Sequence, residues 1–213
     1  MKKIGKILVS AGPTREKIDP VRFITNRSSG KMGYAIAESA VDFAEKVVLV
    51  SGPVSLSVPT GVDCINIESA AEMAAAIFAE SKDADLIIMC AAVADYRPKF
   101  VHESKMKKID GDLTLVLERT EDILQTLGKN KRPGQILAGF AAETNDVLEN
   151  ALSKLERKNL DFIIANDVSS SSKGGFGVDV NAVTIIDRTG KREIFELCPK
   201  KELALKILRY ILQ

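Results

Sequence analysis

The chain has 213 residues, 46% of them hydrophobic and 28% charged, with a formal net charge of +1. That balance supplies one large soluble core and no global field to gather nucleic acid or an anionic membrane. No run of about 18 apolar residues is present, which excludes a membrane-spanning helix.

The start, Met1-Lys2-Lys3-Ile4-Gly5, leads straight into a strand and not into a signal-peptide apolar region. Lys6–Ser10 reads as a buried strand, Gly30–Phe43 as a helix, and Lys46–Ser51 and Val62–Ile67 as two more strands. Ser69, with Glu72 three residues on, predicts a capping box for a helix over Ala70–Ser81. Asp85–Cys90 is apolar enough for a central strand buried on both faces. Ala91–Asp110 is polar and without periodicity, whereas Leu113–Leu117 alternates like a strand. Thr120 is expected to cap a helix to about Lys129, and Gln135–Ala138 to form a strand. Thr144–Lys158 predicts a helix, Asp161–Ala165 a strand, and Ser169–Gly177 a Ser/Gly loop. Val183–Asp187 and Arg192–Leu197 read as a hairpin about Arg188-Thr189-Gly190, and Pro199 opens a last helix to Ile211.

This alternation predicts an α/β fold in one domain over residues 1–213. It is Rossmann-like, a mostly parallel sheet covered by helices on both faces, with a C-terminal β-hairpin extension. Ligands in such a sheet sit beyond the carboxyl ends of the strands. The loops beginning at Ala11, Ala91, Gly139 and Asn166 are therefore the expected site.

Within the first of them, Thr25-Asn26-Arg27-Ser28-Ser29-Gly30-Lys31-Met32-Gly33 opens a helix. Gly30, Lys31 and Gly33 are candidates for anion binding at its N-terminus, with Arg22 and Arg27 adding charge; a structural glycine turn is the alternative. A dinucleotide fingerprint fails because Ala11-Gly12-Pro13-Thr14 follows the first strand, and a Walker A loop fails at Thr25 and Met32. In Cys90-Ala91-Ala92-Val93-Ala94-Asp95-Tyr96-Arg97, small residues let a flat or extended ligand approach. Asp95 would accept from that ligand or hold a hydrated Mg²⁺; otherwise it caps a turn and pairs with Arg97. Lys105-Met106-Lys107-Lys108 is either a lid that orders over a polyphosphate or a solvated charge run. Phe140 is core packing or a face for a base. Lys154 and Lys158 share a helix face, and Asn166-Asp167 closes a strand, holding the loop network or contacting a ligand.

The three cysteines (Cys64, Cys90, Cys198) lie far apart and away from the single histidine, His102. This argues against a zinc site and a disulfide framework and fits a cytoplasmic, reducing setting. Cys90 ends an apolar run, where an inert thiol is expected.

Taken in order, SAGPTREKIDPVRFITNRSSGKMG, CAAVADYRP, KMKK, GFAAET and ANDV closely resemble the bacterial phosphopantothenoylcysteine synthetase family, from Ile7 to the final helix. In many bacteria that synthetase is the C-terminal half of a bifunctional protein whose N-terminal half is a flavin-dependent decarboxylase. The resemblance thus implies a standalone enzyme or an excised domain, with no flavin in this chain. It implies a ligase that joins 4′-phosphopantothenate to L-cysteine through an acyl-cytidylate, consuming CTP and a divalent ion (Mg²⁺) and releasing CMP and pyrophosphate. Eukaryotic relatives favour ATP.

By matching positions, Lys105 resembles the loop lysine that supports acyl-cytidylate formation, and Asn26 the asparagine that carries the intermediate to product. Arg22 and Ala92 match positions on the phosphopantothenate side. Met89, Cys90, Ala91, Asp95, Glu121, Asp122, Ile123, Leu124, Phe140, Lys154 and Lys158 match the nucleotide set; at Glu121 the backbone contact carries the match. Family members are dimers with the site near the interface, so the last helix and hairpin are candidate interface elements. Neither nucleic acid nor membrane is an expected partner. Two other readings compete: a nicotinamide-dependent oxidoreductase, which lacks its fingerprint here, and a non-catalytic nucleotide sensor.

Overall fold

Continuous apolar runs form the parallel strands, and residues fully shielded from solvent occupy both of their faces. The computed structural model describes residues 2–108, 110–143, 147–167 and 177–213. Thr144 and nearly all of the Ser/Gly loop lie outside the described residues, as does the side chain of Asp167.

The elements are β1 (Ile4–Ala11), β2 (Arg15–Lys17), β3 (Phe23–Thr25), α1 (Lys31–Ala40), β4 (Ala44–Ser51), β5 (Asp63–Asn66) and α2 (Ala70–Glu80). There follow β6 (Leu86–Met89), β7 (Tyr96–Pro98), β8 (Leu117–Arg119), α3 (Ile123–Lys129), β9 (Ile136–Glu143) and α4 (Val147–Arg157). The chain closes with β10 (Phe162–Asp167), β11 (Val180–Asp187), β12 (Arg192–Pro199) and α5 (Lys200–Ile211).

Eight strands form one sheet in the order β12-β11-β10-β9-β6-β1-β4-β5. The six from β5 to β10 are parallel, and β11 and β12 continue antiparallel, as the hairpin pattern predicts. Chain order reverses at the β1/β6 seam, where loops leave in opposite directions and open a crevice. In β1, Ile7 and Val9 face α1 and α5, while Leu8 faces the layer of α2, α3 and α4; all three are fully buried. Each such side chain contributes about 2 kcal/mol by leaving water.

The structure departs from the local sequence patterns at several points. Glu72 does not close a capping box on Ser69: Ser69 Oγ accepts from Glu72 N–H (3.2 Å), but the Glu72 carboxylate accepts from Glu68 N–H (2.8 Å). Thr120 does not cap α3; its hydroxyl donates to Ala94 O (2.5 Å), and Asp122 is the N-cap, accepting from Gln125 N–H (3.0 Å). The strand expected at Leu113–Leu117 lies at Leu117–Arg119, and its partner, Tyr96–Pro98, falls inside the polar stretch Ala91–Asp110, which carries no periodicity to announce it. Pro199 is the N-cap of α5 and not its first helical residue. The β2–β3 hairpin carries no apolar alternation to announce it. Its inward residue is Glu16 (4% exposed), whose carboxylate accepts from Ala70 N–H (2.8 Å) at the start of α2.

Candidate active site

A cleft of about 550 Å³ opens over the β1/β6 seam. Its floor is fixed by short side chains of the first loop gripping the backbone that follows β6. Ser10 Oγ, fully buried at the end of β1, accepts from the N–H groups of Cys90 and Ala91, both at 3.1 Å. Thr14 Oγ1, also buried, accepts from Ala94 N–H (3.0 Å), and Ala92 N–H donates to Gly12 O (2.9 Å). Asn26 Nδ2 then donates to the carbonyls of Ala92 (3.0 Å) and Val93 (3.2 Å).

One wall is the start of α1. Gly30 caps it in the left-handed conformation (φ 75°) with no side-chain hydrogen bond, so among the described residues no capping side chain competes with a ligand for the first-turn N–H groups. Gly33 has a packing reason of its own: a Cβ there would stand 2.5 Å from Ala11 Cβ. Lys31 reaches across to Asp179 (2.7 Å) and Gly177 O (3.3 Å), and its ammonium holds the Asp179 carboxyl below the usual range.

The opposite wall comes from α3 and α4. Lys158 pairs with Asp122 at 2.9 Å. Burial pushes the Asp122 carboxyl up, but Lys158, the Gln125 N–H and the Arg157 charge outweigh it and hold the group ionised. Lys154, Phe140 and residues Glu121 to Leu124 line the same wall, and Asp95 lines the floor. Arg97 pairs with Glu118 (2.8 Å) across the β7–β8 hairpin, so Asp95 is not neutralised by it. Desolvation pushes the Cys90 thiol up to about 12, which removes it as a nucleophile near neutral pH.

The cleft therefore gathers Asn26, Gly30, Lys31, Gly33, Ala92 and the nucleotide-matching positions from Met89 to Lys158, with two exceptions. Arg22 and Lys105 do not line it: Arg22 bonds Asp19 and Met106 O, and Lys105 is exposed on its loop. Residues missed in the sequence also reach the cleft. Asn181 (2% exposed) and Lys200 (6% exposed) arrive from β11 and the β12–α5 junction, too far along the chain for any local motif to signal. Lys200 Nζ donates to Val178 O (2.7 Å), and burial lowers its affinity for the proton. Among the described residues, no group of three His, Cys, Asp or Glu stands close enough to form a protein metal cage. Likewise no helix among them is long and apolar enough to cross a membrane.

Residues 3–213 match the family described as DNA/pantothenate metabolism flavoprotein C-terminal domain. The chain is 50% identical over 206 residues to the coenzyme A biosynthesis bifunctional protein CoaBC of Bacillus subtilis, covering 96% of this chain and 50% of that protein. To the same-named protein of Vibrio vulnificus it is 47% identical over 207 residues, covering 96% and 51%. The chain thus spans about half the length of the curated relatives it matches. The crystal structure of the C-terminal domain of CoaBC is similar with a TM-score of 0.83 at 47% identity, covering 98% of this chain and 94% of that one. A Cab2 mutant in complex with phosphopantothenate-cysteine shares the fold, with a TM-score of 0.80 at 16% identity over 98% of this chain and 85% of that one.

Proposed function

The chain belongs to the family described as DNA/pantothenate metabolism flavoprotein C-terminal domain, and from that premise we propose that it is a phosphopantothenate–cysteine ligase of coenzyme A biosynthesis. The observation that carries the reading is one shared cleft. Asn26 and Ala92, on the acid side, open into the same 550 Å³ as Lys154, Lys158 and Phe140, on the nucleotide side. A carboxylate and a nucleotide α-phosphate bound there are held within reach of each other, the condition for in-line displacement.

In the proposed sequence, the carboxylate oxygen of 4′-phosphopantothenate attacks the α-phosphorus of CTP and pyrophosphate leaves. The cysteine amine then attacks the acyl carbon of the acyl-cytidylate, loses a proton, and CMP departs with the bridging oxygen. Neither step needs a protein nucleophile, in keeping with a cleft whose lining includes neither His102 nor an ionised cysteine. The steps need positive charge fixed where negative charge accumulates, and Lys31, Lys154, Lys158 and Lys200 supply it around the cleft. Lys105 adds a further ammonium from its loop. Asp95, which lines the cleft, would hold a Mg²⁺, an ion that uses few protein ligands and takes its other oxygens from phosphate and water. The ion would neutralise phosphate charge and favour pyrophosphate as leaving group.

The proposal includes a homodimer and, in longer relatives, a fused decarboxylase half. The apolar face of α5 is spent inside the chain, with Leu203, Ala204, Ile207 and Leu208 fully buried. Exposed Ile194 and Leu197 on the outer strand β12 are what the hairpin offers a partner subunit.

The test is incubation with CTP, Mg²⁺, 4′-phosphopantothenate and L-cysteine, following pyrophosphate and the condensed product. Product with a preference for CTP over ATP in direct competition supports the reading. Absence of pyrophosphate with every nucleoside triphosphate overturns it, and NADPH oxidation would favour the oxidoreductase reading instead.

A further inference from the structure

Asp19 occupies the β2–β3 turn and is 2% exposed. Its Oδ1 accepts from the backbone N–H groups of Val21 and Arg22, both at 2.8 Å, which is all that a turn of this kind requires. Its Oδ2 does something the turn does not need. That oxygen accepts from Arg22 Nε (2.9 Å) and Nη2 (2.5 Å), and from the N–H of Met106 (3.1 Å), a residue on another loop. Arg22 Nη2 also donates to Met106 O at 2.9 Å. The carboxylate and the guanidinium thus hold both backbone polar groups of Met106, the residue that follows Lys105. A second tie lies just upstream, where His102 N–H donates to Ile18 O at 3.0 Å.

We propose that Asp19 is a positioning residue that clasps Arg22 to Met106 and thereby sets the Lys105 loop beside the acid-binding side of the cleft. The inference rests on the ligase reading for its kinetic consequence, but the clasp itself does not depend on it. Lys105 is exposed, so the register of its ammonium depends on where the neighbouring backbone is held. Charge-assisted bonds to a buried carboxylate are strong and directional, and they restrict the loop before substrate arrives. The clasp also leaves Arg22 a defined binding capacity. Nε and Nη2 are engaged, the side chain is 44% exposed, and among the described residues nothing bonds Nη1, which is left to meet an anionic substrate group. One carboxylate therefore couples the residue matched to the acid with the loop matched to acid activation.

The experiment has an arm without substrate and an arm with it. In the first, Asp19→Asn and Arg22→Gln are each exposed to limiting trypsin, and cleavage after Lys105, Lys107 and Lys108 is timed by mass spectrometry. Both variants are expected to cut there about tenfold faster than the parent. Arg22→Gln keeps the Oδ1 turn bonds, so it serves if Asp19→Asn fails to fold. In the second arm, each variant is expected to lower kcat for pyrophosphate release and raise KM for phosphopantothenate, each by about tenfold. The double variant is expected to be no worse than either single one. Lys17→Gln, which removes the Lys17–Glu68 pair (2.9 Å) from the same hairpin, is expected to change neither readout. Unchanged cleavage in both variants, or faster cleavage with unchanged kinetics, overturns the proposal, as does full additivity. If the parent chain releases no pyrophosphate, the ligase reading fails while the trypsin arm still decides whether the clasp exists.

Discussion

The side-chain amide of Asn26 donates to two consecutive carbonyls, Ala92 O at 3.0 Å and Val93 O at 3.2 Å, and so ties the loop between β3 and α1 to the loop after β6. A carboxylate of the same size donates nothing and faces both carbonyl dipoles. Asn26→Asp is therefore expected to disturb the segment that holds the activated acid in the proposed mechanism, without removing the lysines that line the cleft. Pyrophosphate release should persist while formation of the cysteine adduct falls about a hundredfold. Rapid-quench measurement of both partial reactions checks this, and equal loss of the two contradicts it.

Lys158 divides its charge between Asp122, at 2.9 Å, and the cleft. Asp122 is 43% exposed, so the pair contributes less than about 1 kcal/mol to stability. Replacing Lys158 with Met should raise KM for the nucleotide about tenfold and leave the urea midpoint nearly unchanged. Initial rates at varied CTP decide this. An unchanged KM accompanied by a large loss of stability would make Lys158 a structural residue.

Gly33 allows α1 to lie directly on β1. A methyl group there meets Ala11 Cβ at 2.5 Å and Ser10 O at 3.0 Å, and both belong to a strand with no room to retreat. Gly33→Ala should cost about 1–3 kcal/mol in urea unfolding, the range of an overpacked core. Because Ser10 holds the N–H groups of Cys90 and Ala91, the same variant should also lose activity beyond its loss of stability. Wild-type stability in Gly33→Ala would show that the helix–strand contact is looser than these distances.

The Cys90 thiol, raised to about 12, stays protonated throughout the neutral range. Relative to an unperturbed thiol, the thiolate fraction near pH 8 falls by about a thousandfold. Iodoacetamide labelling at pH 8, mapped by peptide mass spectrometry, should leave Cys90 unmodified in the native chain and modify it readily once urea unfolds the chain at the same pH. Rapid modification at pH 8 would contradict the assignment and reopen a nucleophilic role.

The parallel sheet and its helices were legible because burial on both faces leaves long apolar runs in β1, β4 and β6, and because helical periodicity marks α2 and α5. What escaped was structure held by polar side chains across long sequence separations. The β2–β3 hairpin rests on Glu16 reaching Ala70 and on Asp19 reaching Met106, neither of which leaves a local pattern. Thr120 had the residue type and position of a cap, yet its hydroxyl was claimed by Ala94 O, leaving Asp122 to cap α3. The cleft was legible by motif in Asn26, Gly30 and Lys158, and invisible in Asn181 and Lys200. Those two are brought to the cleft only by the antiparallel turn of the chain at its far end.

In the proposed mechanism the acid is activated as a cytidylate in the cleft over the β1/β6 seam. Oxygen-18 in the carboxylate of phosphopantothenate tests it most directly. The acid is incubated with the chain, CTP, Mg²⁺ and cysteine, and the nucleotide and phosphate products are analysed by mass spectrometry. Attack on the α-phosphorus places one labelled oxygen in CMP for each molecule of product and none in pyrophosphate. Unlabelled CMP, or label appearing in orthophosphate, would mean that activation runs through another phosphorus and would contradict the account.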